Sequence, residues 1–416
     1  MKRGGDWKRW SAVAVLVVGL LASSAVASAS FGHHGKRVIS NLDVVRDTLP
    51  YGKSKTLLLS GFGNESKITR LRSNGSIDRS FGANGHGDVP SLEISVQAGG
   101  GILVLSSEQQ ELGGITPVVT RLLPGGGVDR SFGSGGKVRV DLGDRFDEAT
   151  AMTALPDGKI VIAGRSGPNF DPRSGSILGD TVVTRLSVGG APDRSFGGDG
   201  RVSVPPAQEP VALKPGPKGT IYLQDGGSQL IRLMRRGRLD GSFGKHGVVA
   251  LPFTVDPPET FFLVRGDFAV LPGGGVMIAA TLSSSGDRYK HNKAAVLRLR
   301  SDGSVSPAYG NGGLARFGYP GGWVSAAGVA ATADGRAVVI ASSQVPLGSR
   351  SHMTAFALSS AGKLDGRFGK RGRMRIGFGG WVTGDDLFLR HGTAFLVGNG
   401  RGSKTLLAQV PLVRHR

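Results

Sequence analysis

Asp141, Asp144, Asp147 and Glu148 stand close together in the sequence. Paired carboxylates with aromatic neighbours are the equipment of a glycosidase or a lyase, where one group acts as acid and the other as base or nucleophile. Trp323 and Trp381 follow related glycine-rich runs, GYPGGWV and GFGGWV, and an exposed indole at either place would stack on a sugar. Arg288, Tyr289, Lys290 and His291 make a basic, aromatic segment suited to a ligand, with Asp287 as its acidic neighbour. The plainer alternatives are charged loops that are merely solvated and tryptophans that pack after a Gly-Gly pair. Other chemistry is not supported. There is no Gly-x-Ser-x-Gly elbow and no His-Glu-x-x-His pair, and GRGSKT (Gly400 to Thr405) lacks both the Walker spacing and a following helix. His33 and His34 are adjacent, so their side chains would diverge in a strand. The absence of cysteine excludes zinc–thiolate sites and cysteine nucleophiles. No metal set and no cofactor motif is read.

The elements that must carry these residues are announced by a repeat. TRLLPGGGVDRSFGSGG (Thr120 to Gly136) has close copies at Thr69 to Gly85, Thr184 to Gly200 and Ile231 to Gly247, and worn ones at Leu297 to Gly313 and Phe356 to Gly372. The aromatic of each copy falls at Phe81, Phe132, Phe196, Phe243, Tyr309 and Phe368, and Phe31 in SFGHHGKRV is a seventh. The final run, TLLAQVPLV (Thr405 to Val413), resembles the strand that precedes the motif but lacks the loop after it. One repeat is therefore split between the two ends of the chain.

Within a repeat, short β-branched runs are punctuated by Gly and Pro-Asp-Gly, as in EATAMTAL, KIVIAG, TVVTRL and RVSV of the third copy. Four strands repeated seven times predict an all-β, seven-bladed β-propeller spanning residues 30–416, each blade a four-stranded antiparallel meander. An open stack would expose strand edges at both ends. Pairing Lys36 to Ser40 with Thr405 to Val413 closes the ring with an N-terminal strand that completes the last blade.

The repeated residues read as structural. The aromatics would plug the joints between blades, and burying one contributes roughly 1.5–3 kcal/mol. Asp78, Asp129, Asp193, Asp240 and Asp365 would cap backbone N–H groups of their turns. Alternatively each pairs with the arginine eight residues earlier, although the fifth copy has Ser306 and the sixth Ala357, so such a pair is not obligatory. Neither the EF-hand spacing nor the calcium-binding nonapeptide is matched. The Arg-Leu strand, the Asp-x-Ser-Phe-Gly turn and the following Gly-Lys-Val resemble the delta-60 repeat, a bacterial family of arrays without an assigned function. The resemblance covers Ser30 to the C-terminus; it implies an exported, propeller-like domain and carries over no catalytic residue. Function is expected on the irregular loops of the opposite face, Arg165 to Asp180, Pro252 to Gly266 and Leu282 to Lys293.

Residues 1–29 read as a signal peptide: a basic start, an apolar run from Ala12 to Leu21, and small residues that offer cleavage after Ala27 or Ala29. The run falls short of the roughly 20 residues of a spanning helix, which argues against an uncleaved anchor. A secreted or cell-surface, monomeric protein without a membrane span is expected. Removing Lys2, Arg3, Lys8, Arg9 and Asp6 lowers the formal charge from +20 to +17. Such a balance suits an anionic envelope polymer, a glycan or another surface protein as partner. With only 6% aromatic residues, a base-stacking nucleic-acid platform is disfavoured. A binding module is the leading reading; a carbohydrate-active hydrolase or lyase and a purely structural surface protein are the alternatives.

Overall fold

Each repeat folds as one four-stranded antiparallel sheet, and seven such sheets stand around a common axis as a β-propeller. The structure is a computed structural model that describes residues 31–412 except 63–64, 88, 110–114, 172–175, 205–208, 227–228, 252–258, 285–291 and 348. The innermost strands of blades 1 to 7 are Val45–Tyr51, Glu93–Val96, Phe146–Ala154, Pro210–Pro215, Glu259–Val270, Trp323–Ala331 and Asp386–Arg390. No α-helix occurs among the described residues, and none of them forms a helix long and apolar enough to cross a membrane.

The ring closes as the split repeat requires. Lys36–Ser40 pairs antiparallel with Lys404–Pro411, from Lys36 opposite Ala408 to Ser40 opposite Lys404, and becomes the outer strand of blade 7. Backbone detail matches the intact blades. Gln409 N donates to Gly35 O at 2.8 Å, as Arg185 N does to Gly200 O in blade 3.

The core is seven separate clusters, one at each joint between blades. Phe81 lies with Leu57, Leu59 and Ile68 of blade 1 and with Ile94, Ile102 and Val104 of blade 2. Phe31 does the same between blades 7 and 1, touching Leu407 on one side and Leu58 on the other. All seven repeated aromatics are 3% exposed or less. Each is the plug of one joint, so a blade has no core of its own and depends on its neighbours.

Two expected loops are strand where they are described: Pro252 to Gly266 enters the inner strand Glu259–Val270 of blade 5, its first residues 252–258 lying outside the described residues, and the second is in blade 3. Arg165 to Asp180 belongs to a long hairpin in blade 3, Ile160–Asp171 with Ser176–Leu186. The pairing resumes after a bulge, with Asn169 opposite Leu178 and Phe170 opposite Ile177. Gly167 and Gly179 allow the two backbones to approach at the bulge. Phe170 then rests near Phe146, ring centroids 6.2 Å apart.

Candidate functional site

The repeated turns form clasps between blades. In the second copy, Arg121 Nε donates to Asp129 Oδ2 at 2.8 Å, while Asp129 Oδ1 accepts from Ser131 N and Oγ at 3.1 and 2.6 Å. The same guanidinium lies 4.6 Å from the Phe132 ring centroid, and its Nη1 donates to Val188 O of the next blade at 2.8 Å. Arg70, Arg185 and Arg232 repeat the arrangement, reaching the carbonyls of Pro124, Arg235 and Ser301. Both expected roles of the aspartate are thus present at once: one oxygen caps the turn and the other holds the arginine. In the fifth copy Arg298 still lies over Tyr309 at 5.5 Å and reaches Ser360 O at 2.7 Å, without an acid. In the sixth, Asp365 pairs with Arg367 instead, at 2.8 Å. Glycine is required where the turn of one blade presses on the next. A Cβ on Gly126, whose φ is +93°, would lie 2.7 Å from Gly82 N and 3.0 Å from the Phe81 ring.

Burial alone would raise the Asp78 carboxyl, but the Lys55 ammonium, the Ser80 hydroxyl and Arg70 outweigh it and hold the group well below the usual carboxylate range. Asp193 is depressed in the same way by Lys159, Ser195 and Arg185, against its own burial.

A second set of carboxylates lines the central channel. Asp47, Glu93, Gly328 and Asp386 face Leu59, Leu105, Ile340 and Val397, matching positions of their blades' second strands; Ala151 and Ala212 do so opposite Ala163 and Gln224. Asp267, directly before Phe268 opposite Ile278, completes the level in blade 5. Four of the seven positions are therefore acidic. Asp267 Oδ2 crosses to blade 6 and accepts from Val329 N at 2.9 Å, and Glu93 crosses likewise to Met152 N of blade 3. Gly328 makes room for this crossing: a Cβ there would lie 2.3 Å from Asp267 Oδ2. Asp47 and Asp386 accept from the next residue's N–H, each at 2.7 Å, and Asp386 Oδ2 is buried without a hydrogen-bond partner.

These groups feel one another across the axis. Burial pushes Asp267 up to about 7, opposed by Lys214 and the Val329 N–H and reinforced by Asp47. Burial, then the charges of Asp47 and Asp267, raises Asp386 well above the usual range, and burial followed by Asp47 does the same for Glu93. All four channel carboxyls are thus raised, by burial first, with the charge of Lys214 opposing the rise. Among the described residues no group of three or more His, Asp or Glu is placed to hold a metal ion. Composition and repeat reasoning did not single out this level. The signal present in the sequence was an acid at this level in four of the seven apolar inner strands, as in RGDFAV and DLFLR.

The sequence-derived candidates lie elsewhere. Asp147 is buried, accepting from Leu142 N at 2.8 Å and Ser166 Oγ at 2.7 Å, and burial raises its carboxyl. Asp141 pairs with Arg201 at 2.9 Å, and Asp144 accepts from Arg145 N at 2.9 Å. Glu148 stands on the inner strand of blade 3, its carboxyl raised by burial and by Glu209. The four are neighbours in sequence, but each of the three aspartates has its own hydrogen-bond or ion-pair partner. Trp323 opens the inner strand of blade 6 with its indole N–H buried and unpartnered, whereas Trp381 is 41% exposed beneath Arg401, 5.9 Å from the ring centroid. Arg288, Tyr289, Lys290 and His291 lie outside the described residues.

No family model matches the chain, and no curated protein matches it. Solved structures do. YCF48 bound to D1 peptide aligns over 93% of this chain and 99% of its own at 10% identity, TM-score 0.40. The Nup133 β-propeller domain of Vanderwaltozyma polyspora aligns over 90% and 97% at 11% identity, TM-score 0.43. BamB from Moraxella catarrhalis aligns over 91% and 98% at 9% identity, TM-score 0.40.

Proposed function

We propose that this chain is an exported propeller that binds an anionic polymer of the cell envelope through its basic exterior. The observation that carries the reading is where the negative charge goes. Against 51 Lys and Arg the sequence has 31 Asp and Glu. Five of those acids are tied into the repeated turns, at Asp78, Asp129, Asp193, Asp240 and Asp365. Four more, Asp47, Glu93, Asp267 and Asp386, line the channel, where burial favours their neutral form. The turn acids are matched by basic partners of their own, so it is the channel acids, held toward their neutral form, that leave the remaining charge more positive than the overall balance suggests, and such a surplus steers polyanions by long-range attraction. The delta-60 resemblance and the leader-like N-terminus support export.

The test is retention on dextran sulfate beside neutral dextran. Retention on the sulfated matrix at about 0.05 M salt and release by about 0.5 M are expected, because exposed charges are screened over a shorter distance as salt rises. Passage through both matrices at the lower salt overturns the reading.

A further inference from the structure

We propose that the joint between blades 7 and 1 is a binding site for phosphate groups in series, such as a phosphodiester or polyphosphate chain; the inference rests on the polyanion reading above. A cleft of about 800 Å³ opens there, between the closing strand and the Asp-x-Ser-Phe-Gly turn of blade 1. Its volume lies within the range of small-ligand pockets, roughly 300–1,000 Å³. Arg37, Arg72, Arg79 and His86 line it, Ile39 and Ile77 supply apolar wall, and no acidic residue belongs to the lining. Arg72 approaches Asp78 at 3.6 Å, but that carboxylate is already engaged by Lys55 at 2.8 Å and Arg70 at 2.9 Å. Neither Arg37 nor Arg79 has an ion-pair partner among the described residues.

Arg37 is what sets this joint apart. It stands six residues after the plug Phe31; the same place after the other six plugs holds Gly87, Val138, Val202, Val249, Ala315 and Met374. At three joints the valine seals the seam against the next blade's turn glycine: Val138 on Gly190, Val202 on Gly237 and Val249 on Gly303. At the 7/1 joint the Arg37 stem lies against Gly75 in the valine's place, and its charged head joins the cleft. Burying an arginine stem where an apolar side chain suffices elsewhere points to a use for its guanidinium. Forks coming from a strand and from a turn approach an anion along different directions. A phosphate offers oxygens in several directions to meet them, whereas a carboxylate offers two in one plane.

The experiment is calorimetric titration of the purified protein at low salt with inorganic tripolyphosphate and, separately, with poly(glycerol phosphate). Arg37→Val restores the residue type of the ordinary joints and is expected to keep the melting temperature while weakening binding about tenfold or more. Arg79→Gln, on an exposed turn, is expected to weaken it similarly, and Arg130→Gln, its counterpart one blade on, to leave it within about twofold. A preference for one titrant assigns the source as free polyphosphate or envelope polymer. Equal weakening by Arg130→Gln and Arg37→Val overturns the seam site and leaves the polyanion reading standing. Retention on dextran sulfate without binding of either phosphate probe overturns the phosphate assignment, and failure of all three probes overturns both.

Discussion

The aspartates of the turns and those of the channel are the same residue type under opposite constraints. Asp78 meets Arg70, Lys55 and Ser80, three donors that favour its charge. Asp386 meets one backbone N–H and the fields of Asp47 and Asp267. Both sites are shielded from water, so the partners decide the sign: donors depress one carboxyl, and like charges add to the desolvation that raises the other. What repeats in this protein joins blades, and what differs from blade to blade sets the chemistry of the axis.

The comparison breaks most forcefully at a clasp. Arg70→Ala removes a buried partner of Asp78, the guanidinium over the Phe81 ring and the bond to Pro124 O of blade 2. Lys55 and Ser80 still hold the carboxylate, so a loss of about 1.5–3 kcal/mol is expected in urea unfolding, the usual worth of hydrogen bonds to a charged group. A loss below about 1 kcal/mol would show that the clasp is ornamental.

A smaller effect separates the two sets by pH. The channel acids have folded pKa values above their unfolded ones, so they bind more protons when folded, and the stability they contribute is lost as pH rises, for Asp267 through about 7. The turn aspartates are depressed, and their contribution is lost only as pH falls below the ordinary carboxylate range. Melting temperature is therefore expected to decline between pH 5 and 8.5, by about 2 °C for each kcal/mol lost, and Asp267→Asn should flatten that decline. A wild-type curve that rises over this interval would contradict the assignment. The smallest effect belongs to Arg367→Ala. Arg367 holds Asp365 from the solvent side, with its side chain 67% exposed, and its removal should leave the melting temperature unchanged.

The parts of this fold that were legible are those the chain says more than once. Seven aromatics at one turn position gave the blade count, and the unmatched remnants at Phe31 and Thr405 gave the closure. Arg165 to Asp180 misled because Gly and Pro mark loops and bulges alike; only the register of Asn169 with Leu178 distinguishes them. Asp47, Glu93, Asp267 and Asp386 were hidden because each occurs once in its strand and their kinship exists only around the axis. Arg37 was legible in principle. It breaks a column that Val138, Val202 and Val249 keep, but until the joint is seen a departure six residues after the plug has no physical meaning.

The pairing of Lys36–Ser40 with Lys404–Pro411 also fixes an order of events. Contacts between the first and last strands of a chain are slow to form, because nearly all of it must be in place before they can. Until Lys404–Pro411 is available, blades 1 to 6 can only make an arc, with one edge of the growing array and the waiting N-terminal strand both unpaired. Truncation near the C-terminus would thus give a sticky arc in place of a smaller ring.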